Sequence, residues 1–254
     1  RYYTLMSKGC ICVCSYCSQS FLAEFNNGKD HRRRSVDGIM EELRRAKERY
    51  RIRLIDFEDN ILYSNKPWFR EFAARYKAEI GIPYTCMGHP LITDEEIASL
   101  LASSGCYRVQ LGIQSMDEKN RKALLHRPET NEEVRRCFRA LDKYKVRYSI
   151  DHIFGLPNER DEQHLYDAAW EYSQLQGLHK SNFFFLTCYP KTPMVGYAIQ
   201  HGMIRPEDEQ KINAGEQDDF CYDYGITTDP GLRRLFRAYV LFYRLIPVLP
   251  RRLK

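Results

Sequence analysis

The hydrophobic pattern of this chain switches period six times, and that alternation restricts the fold more than any other feature. Strand-like runs cover residues 1–6, 52–57, 83–87, 107–113, 146–154 and 182–187, the last reading Asn-Phe-Phe-Phe-Leu-Thr. Between them the spacing is helical. Val36, Ile39, Met40, Leu43, Ala46 and Tyr50 share one stripe behind an N-cap at Ser35, and Trp68, Phe69, Phe72, Ala73 and Tyr76 share another within residues 66–80. Thr93-Asp94-Glu95-Glu96 and Thr130-Asn131-Glu132-Glu133 read as capping boxes that open two more helices, and residues 159–175 supply a further one. Apolar strands alternating with helices of this length imply βαβ units and a parallel sheet, and right-handed crossovers curl six such units into most of a barrel. The expected fold is therefore α/β: a partial TIM-type (β/α)6 barrel over residues 1–195, with an irregular, partly helical extension over 196–254. An active site on such a fold belongs at the carboxyl ends of the strands.

The first strand run leads into Lys8-Gly9-Cys10-Ile11-Cys12-Val13-Cys14-Ser15-Tyr16-Cys17. Cys10, Cys14 and Cys17 have the spacing CxxxCxxC. Three thiolates on one short loop can hold three corners of a 4Fe–4S cubane and leave the fourth iron without a protein ligand; an open metal position is where chemistry happens. Zinc sites usually draw ligands from two separated knuckles, and no second CxxC exists, because Cys86, Cys106, Cys137, Cys188 and Cys221 stand alone. A disulfide framework suits a small secreted domain rather than 254 residues with nine cysteines. Zinc ligands and inert thiols remain the alternative readings. Cys12 is the odd member, which could face away from the cluster and is expected to pack or sit exposed rather than to ligate.

A hydrophobic fraction of 43% with 29% charged residues is ordinary for a globular protein, and a net charge of +5 argues only weakly for a polyanionic partner, so no nucleic acid is expected. His31-Arg32-Arg33-Arg34 reads as a solvated face. No secretory signal and no apolar run of bilayer length is visible, which with free thiols points to the cytoplasm. Arg1 opens the chain directly in a strand-like run, so a longer protein is expected around it. Residues 232–253 form a basic amphipathic helix that can lie on the inner membrane surface or, the favoured reading, pack on the barrel or a partner domain.

At this point the residues resemble a known family. Cys10-x3-Cys14-Ser15-Tyr16-Cys17 after strand one, with six βα units behind it, looks like the radical S-adenosylmethionine (SAM) enzymes over roughly residues 1–195. The resemblance implies a 4Fe–4S cluster on Cys10, Cys14 and Cys17 whose open iron binds the amino and carboxylate groups of SAM. An electron from the cluster then cleaves the sulfonium, and the 5′-deoxyadenosyl radical abstracts hydrogen from substrate. It also implies cofactor contacts. Glu58 and Asp59 end strand two, where the family places polar groups for the SAM ammonium. Gln110, Gln114 and Ser115 close strand four and resemble the ribose-binding segment. Alternation puts Gln110, Gly112 and Gln114 on one face, expected to be the barrel interior. Arg127 resembles a basic position near the SAM carboxylate. Ile153 and Gly155, in Asp151-His152-Ile153-Phe154-Gly155-Leu156-Pro157, resemble the adenine-contacting segment, with Tyr16 beside it. Asn158 stands where the family usually has an acid, and Glu159 follows. Tyr189-Pro190-Lys191-Thr192-Pro193 resembles a loop flanking the pocket. No catalytic residue beyond these is assigned.

Gly88-His89-Pro90, Gly112-Ile113-Gln114-Ser115, Arg127-Pro128-Glu129-Thr130 and the late Pro-Lys-Thr-Pro loop look most like the cobalamin-binding class. The resemblance thus implies methyl transfer to, or rearrangement of, an unactivated carbon in a small-molecule, lipid or peptide substrate. It also implies an electron donor such as flavodoxin or ferredoxin. The DxHxxG cobalamin motif is missing here, so any cobalamin is expected on a domain absent from this chain. His89 is read either as a substrate contact or as a histidine satisfied by backbone. Two rivals stand beside this reading: a methylthiotransferase-like enzyme, and a noncatalytic iron–sulfur or zinc interaction module.

Overall fold

Residues 1–28, 31–157, 162–216 and 229–250 are described by the structure, a computed structural model. Asn158, Glu159, Cys221, Arg251 and Arg252 lie outside the described residues. The sheet strands are β1 (Tyr2–Thr4), β4 (Ile55–Phe57), β5 (Tyr84–Gly88), β6 (Cys106–Gln114), β7 (Tyr148–Phe154) and β8 (Leu178–Phe185). They lie parallel in that order, β1 and β8 forming the two edges of an open six-stranded sheet. The crossovers run through α2 (Val36–Arg49), α3 (Lys66–Glu79), α4 (Glu95–Ser104), α5 (Asn131–Lys143) and α6 (Gln163–Ser173). This is the expected partial barrel.

Two faces of the sheet differ in chemistry. Ile55, Phe57, Tyr84, Val109, Leu111, Tyr148, Ile150 and Phe154 are buried in the main core with the inward stripes of the helices. Register puts the other set in polar rows: Asp56, Thr85 and Arg108 in one, Gln110, Ser149 and Lys180 in the next, then Gly112, Asp151 and Asn182. Closed barrels fill their interior with branched apolar side chains; this open one carries polar groups there. β8 begins four residues before its expected start because His179, Lys180 and Ser181, polar as a loop would be, sit on an edge strand whose inner face is polar.

The helix starts follow the local chemistry. Ser35 Oγ accepts Gly38 N–H at 3.2 Å, and Thr130 and Glu133 form the reciprocal capping box. The third start is displaced by one residue: Asp94, not Thr93, caps α4, accepting Ile97 N–H at 3.0 Å. The Thr93 hydroxyl instead donates to His89 O at 2.9 Å and pairs with Tyr63 Oη at 2.7 Å. Three small elements were not anticipated: α1 (Ser18–Phe25), the ribbon of β2 (Ser7–Lys8) with β3 (Arg32–Arg33), and a π-helical turn, Asn120–Leu124. Arg33 is not solvated: its guanidinium donates to Leu62 O at 2.8 Å and lies 4.7 Å from the Trp68 ring centroid.

Beyond β8 come α7 (Pro193–Gln200), α8 (Pro206–Ala214) and α9 (Pro230–Leu245). α9 packs on the barrel. Phe236, Tyr239, Tyr243 and Ile246 belong to the main core, and Tyr243 Oη donates to Leu165 O at 2.8 Å. No helix among the described residues is long and apolar enough to cross a membrane.

Candidate active site at the carboxyl rim

From β1 the chain enters the cysteine loop at the carboxyl end of the sheet. The entry is held from below by the residues that follow β4. Asp59 accepts Met6 N–H at 3.0 Å and the Ser7 hydroxyl at 2.5 Å, and Asn60 Nδ2 donates to Gly9 O at 3.0 Å. Asp59, expected among the cofactor contacts, is fully buried with both carboxylate oxygens engaged by its own chain. Charge-assisted bonds of this kind are strong, and here they shape the loop. Its neighbour Glu58 is exposed at the same strand end.

Cys14 is buried, while Cys10, Cys12 and Cys17 are half-buried. Cys12 lies against Cys10: its N–H points to Cys10 Sγ at 3.4 Å, and hydrogen bonding from Cys12 holds Cys10 down to about 6 against the effect of burial. Burial raises Cys14 and Cys17. Arg127 Nη1 reaches Cys14 Sγ at 3.8 Å. Three thiols on one loop, two of them facing N–H donors and one a buried cation, fit an iron–sulfur cluster, whose anionic sulfurs accept such hydrogen bonds. No three His, Cys, Asp or Glu side chains among the described residues converge as ligands of a single ion; a cubane places its ligands on separate irons.

Arg127 is the centre of the rim. It is 4% exposed, and its guanidinium is divided among Glu129 Oε1 (2.7 Å from Nε, 2.6 Å from Nη2), Gly112 O (2.6 Å) and Cys14. Burial alone would loosen its proton, but Tyr16, Glu129 and Cys14 more than offset this and raise it. Glu129 is fully buried. The backbone around this pair is fixed by Arg121, a fully buried residue on the π-helical turn, which donates to Ser115 O and Glu129 O. The same turn grips the cysteine loop: the Ser15 hydroxyl donates to Leu124 O at 2.5 Å and Ser15 N–H to Leu125 O at 3.2 Å. π-turns occur frequently at functional sites because one extra residue redirects the chain. On the far side Met194 N–H donates to Ser15 O at 3.0 Å, so the loop before α7 flanks the cysteines.

The remaining expected residues fall into two groups. Near the rim, Gln114 is buried at φ +68° with its amide over Gly112, where an added Cβ would lie 2.6 Å from Gln114 Nε2. Ile153 is buried in a second apolar cluster with Leu124, Leu156 and Met194, against which Tyr16 packs. Gly155 has φ +80°, which L side chains adopt only with strain. Engaged by the chain itself, Ser115 Oγ accepts Asp117 N–H and shapes the turn. Gln110 faces inward but lower, its amide donating to both Asp151 oxygens (3.1 and 2.9 Å), beside the Asn182 amide at 2.8 Å. His89 is buried, its Nδ1 accepts Leu91 N–H at 3.3 Å, and burial with the charge of Arg127 pushes it down to about 3. Its Nδ1 is thus satisfied by backbone.

Sequence reasoning missed Ser15, Arg121 and Glu129. Only Glu129 carried a signal, a carboxylate two residues after a basic one.

The pattern of the Radical SAM superfamily matches residues 4–169, which include the cysteine loop and the four inner strands of the sheet, β4 to β7. A cytidylyl-2-hydroxyethylphosphonate methyltransferase of Streptomyces wedmorensis is 25% identical over 89% of this chain and 41% of its own. An uncharacterized methyltransferase of Pyrococcus horikoshii is 25% identical over 94% of this chain and 50% of its own. The chain thus spans about half or less of the length of these curated relatives. Among solved structures, the radical SAM methyltransferase TsrM of Kitasatospora setae, with cobalamin and a [4Fe-4S] cluster bound, superposes with a TM-score of 0.66. It covers 80% of this chain and 40% of that one at 21% identity, a likeness of fold. The open parallel barrel, the cysteine loop on its carboxyl rim and the match over residues 4–169 agree: the chain belongs to the radical SAM superfamily, enzymes that work through a 4Fe–4S cluster and S-adenosylmethionine.

Proposed function

We propose that this chain is the catalytic barrel of a cobalamin-dependent radical SAM methyltransferase. The observation that carries the reading is the buried Arg127 bridging Cys14 Sγ, Gly112 O and Glu129, which ties the cysteine loop to the rim of β6. Cys10, Cys14 and Cys17 hold the cluster. When bound, the cluster and SAM supply a one-electron cleavage of the sulfonium to methionine and a 5′-deoxyadenosyl radical, and cobalamin on a further domain supplies a methyl carrier. The chain's own residues position these groups. Exposed Glu58 receives the SAM ammonium, Gln114 faces the ribose, and Ile153, Gly155 and Tyr16 line the adenine side. Arg127 offsets the negative charge of the thiolates and of the SAM carboxylate. Asp59, Ser115 and Gln110 support this geometry from within the fold. Met194 and the loop before it close the side of the site. The acceptor is an unactivated carbon of a small-molecule substrate, and electrons come from a flavodoxin or ferredoxin. The methyltransferase names of the curated relatives favour methyl transfer over other radical outcomes.

The test is anaerobic turnover of the reconstituted chain with dithionite, SAM and methylcobalamin. Methionine and 5′-deoxyadenosine formed in equal amounts support the SAM site, and a longer version of the protein that also demethylates methylcobalamin supports the transferase reading. Turnover by the longer protein that leaves a label on the cobalamin's original methyl group in place contradicts it.

A further inference from the structure

One cavity of about 660 Å³ opens beside the edge strand β8, where the sheet has no further strand to cover it. Its chemistry is one-sided. Lys180, His179 and Arg244 supply its titratable groups, and no Asp or Glu is among the lining residues described. The basic field extends below it: burial, and then Arg108, Arg147 and Lys180, hold His179 below its ordinary value. Asp151, opposite Asn182 in the register, is already held by the amides of Gln110 and Asn182, which form the inner wall. Arg108 Nε is buried with no hydrogen-bond partner. Apolar groups lie alongside the cations. Arg244 sits 4.5 Å from the Phe183 ring centroid, and Phe184 is 50% exposed next to it.

We propose that this cavity binds the anionic end of the substrate, a phosphate or phosphonate monoester with an apolar or aromatic neighbour. Two lining cations, Lys180 and Arg244, with no acid among the described lining residues, favour a dianion over a monoanion, because each further charge on the ligand interacts with the whole field. Phe183 and Phe184 contribute the apolar contact. Lys180 and Asn182 share the inner face with the rim above them, so a ligand anchored at Lys180 extends along that face toward the cysteine loop. The inference rests on the radical SAM reading only in calling this ligand a substrate.

Anaerobic titration calorimetry on the cluster-loaded chain tests it with phenyl phosphate, inorganic phosphate, benzoate and benzylamine as probes. Phenyl phosphate is expected to saturate, to bind at least about tenfold more tightly than inorganic phosphate or benzoate, and to outcompete benzylamine altogether. The Lys180→Ala/Arg244→Ala double variant, at two exposed positions, is expected to weaken phenyl phosphate about tenfold or more. Absence of saturable binding overturns the proposal, as does preference for benzylamine or an affinity unchanged in the variant. Equal affinity for inorganic phosphate also overturns it, leaving an adventitious ion only. Iron content and 5′-deoxyadenosine release from the same samples report on the radical SAM reading separately, so either can fail without the other.

Discussion

Removing the carboxylate of Glu129 strips Arg127 of its counter-charge while leaving the guanidinium buried. Both partners are nearly inaccessible, at 5% and 0% side-chain exposure, and the pair makes one hydrogen bond at 2.7 Å and a second N···O contact at 2.6 Å. Breaking a buried pair from one side costs about 3–5 kcal/mol because a lone charge remains in the interior. Gly112 O and Cys14 stay in contact with Arg127, so Glu129→Ala is placed at the lower end, about 3 kcal/mol. For a chain of this length that is a fall in Tm of about 6–12 °C. The double variant Arg127→Met/Glu129→Ala removes both charges and is expected to recover about half of the loss, since replacing a whole pair is far cheaper than orphaning one member. Thermal unfolding of the wild type and three variants, followed anaerobically by circular dichroism, gives the cycle. A single-variant cost below about 1 kcal/mol, or a double variant worse than the sum of the singles, would refute the argument that Arg127 depends on Glu129.

Other perturbations separate the roles further. Cys14→Ala is expected to abolish cluster iron, whereas Cys12→Ala keeps it, since the backbone N–H to Cys10 Sγ survives; iron analysis after reconstitution distinguishes them. His152 is buried and pushed down to about 3 by that burial, so the unfolded chain takes up its proton first. Its contribution is complete above the ordinary histidine value and is lost as pH falls toward 3; at pH 5 the loss is about 2 kcal/mol. His152→Phe should flatten this part of the acid limb in urea unfolding between pH 7 and 5, and an unchanged limb would count against a neutral buried ring. Ser15→Ala removes the hydroxyl bond to Leu124 O and should cost about 1 kcal/mol in Tm-derived stability. Because that bond fixes the cysteine loop, cluster loss to a chelator should also quicken, and an unchanged rate would remove Ser15 from the site.

The barrel was legible because each strand and helix carries its own period, as Ile39, Met40 and Leu43 on α2 do. The cysteine loop was legible because the ligand spacing is local. What the sequence concealed depends on contacts between distant segments. Asp59 ends a strand just as Glu58 does, and nothing in Glu58-Asp59-Asn60 reveals that one carboxylate turns into the protein to hold Met6 and Ser7. Gln110 and Gln114 share a face by alternation, yet a shift of register after Gly112 and the positive φ of Gln114 separate a barrel-interior amide from a rim amide. Arg121 carries no signal of its own in the sequence; a π-helical turn carries it inward, and no periodicity announces such a turn. α9 showed its apolar stripe, but only the fold shows that Phe236 and Tyr243 meet His152 and Phe154 behind β7 and β8.

The most direct test of the central claim is quantitative. The chain is reconstituted anaerobically with iron and sulfide, reduced with dithionite and given SAM, and 5′-deoxyadenosine is measured by chromatography. The account predicts product that requires cluster, reductant and SAM together and vanishes in Cys14→Ala. A fully formed cluster on Cys10, Cys14 and Cys17 that binds SAM yet yields no 5′-deoxyadenosine, in this chain and in a longer version of the protein, would contradict it.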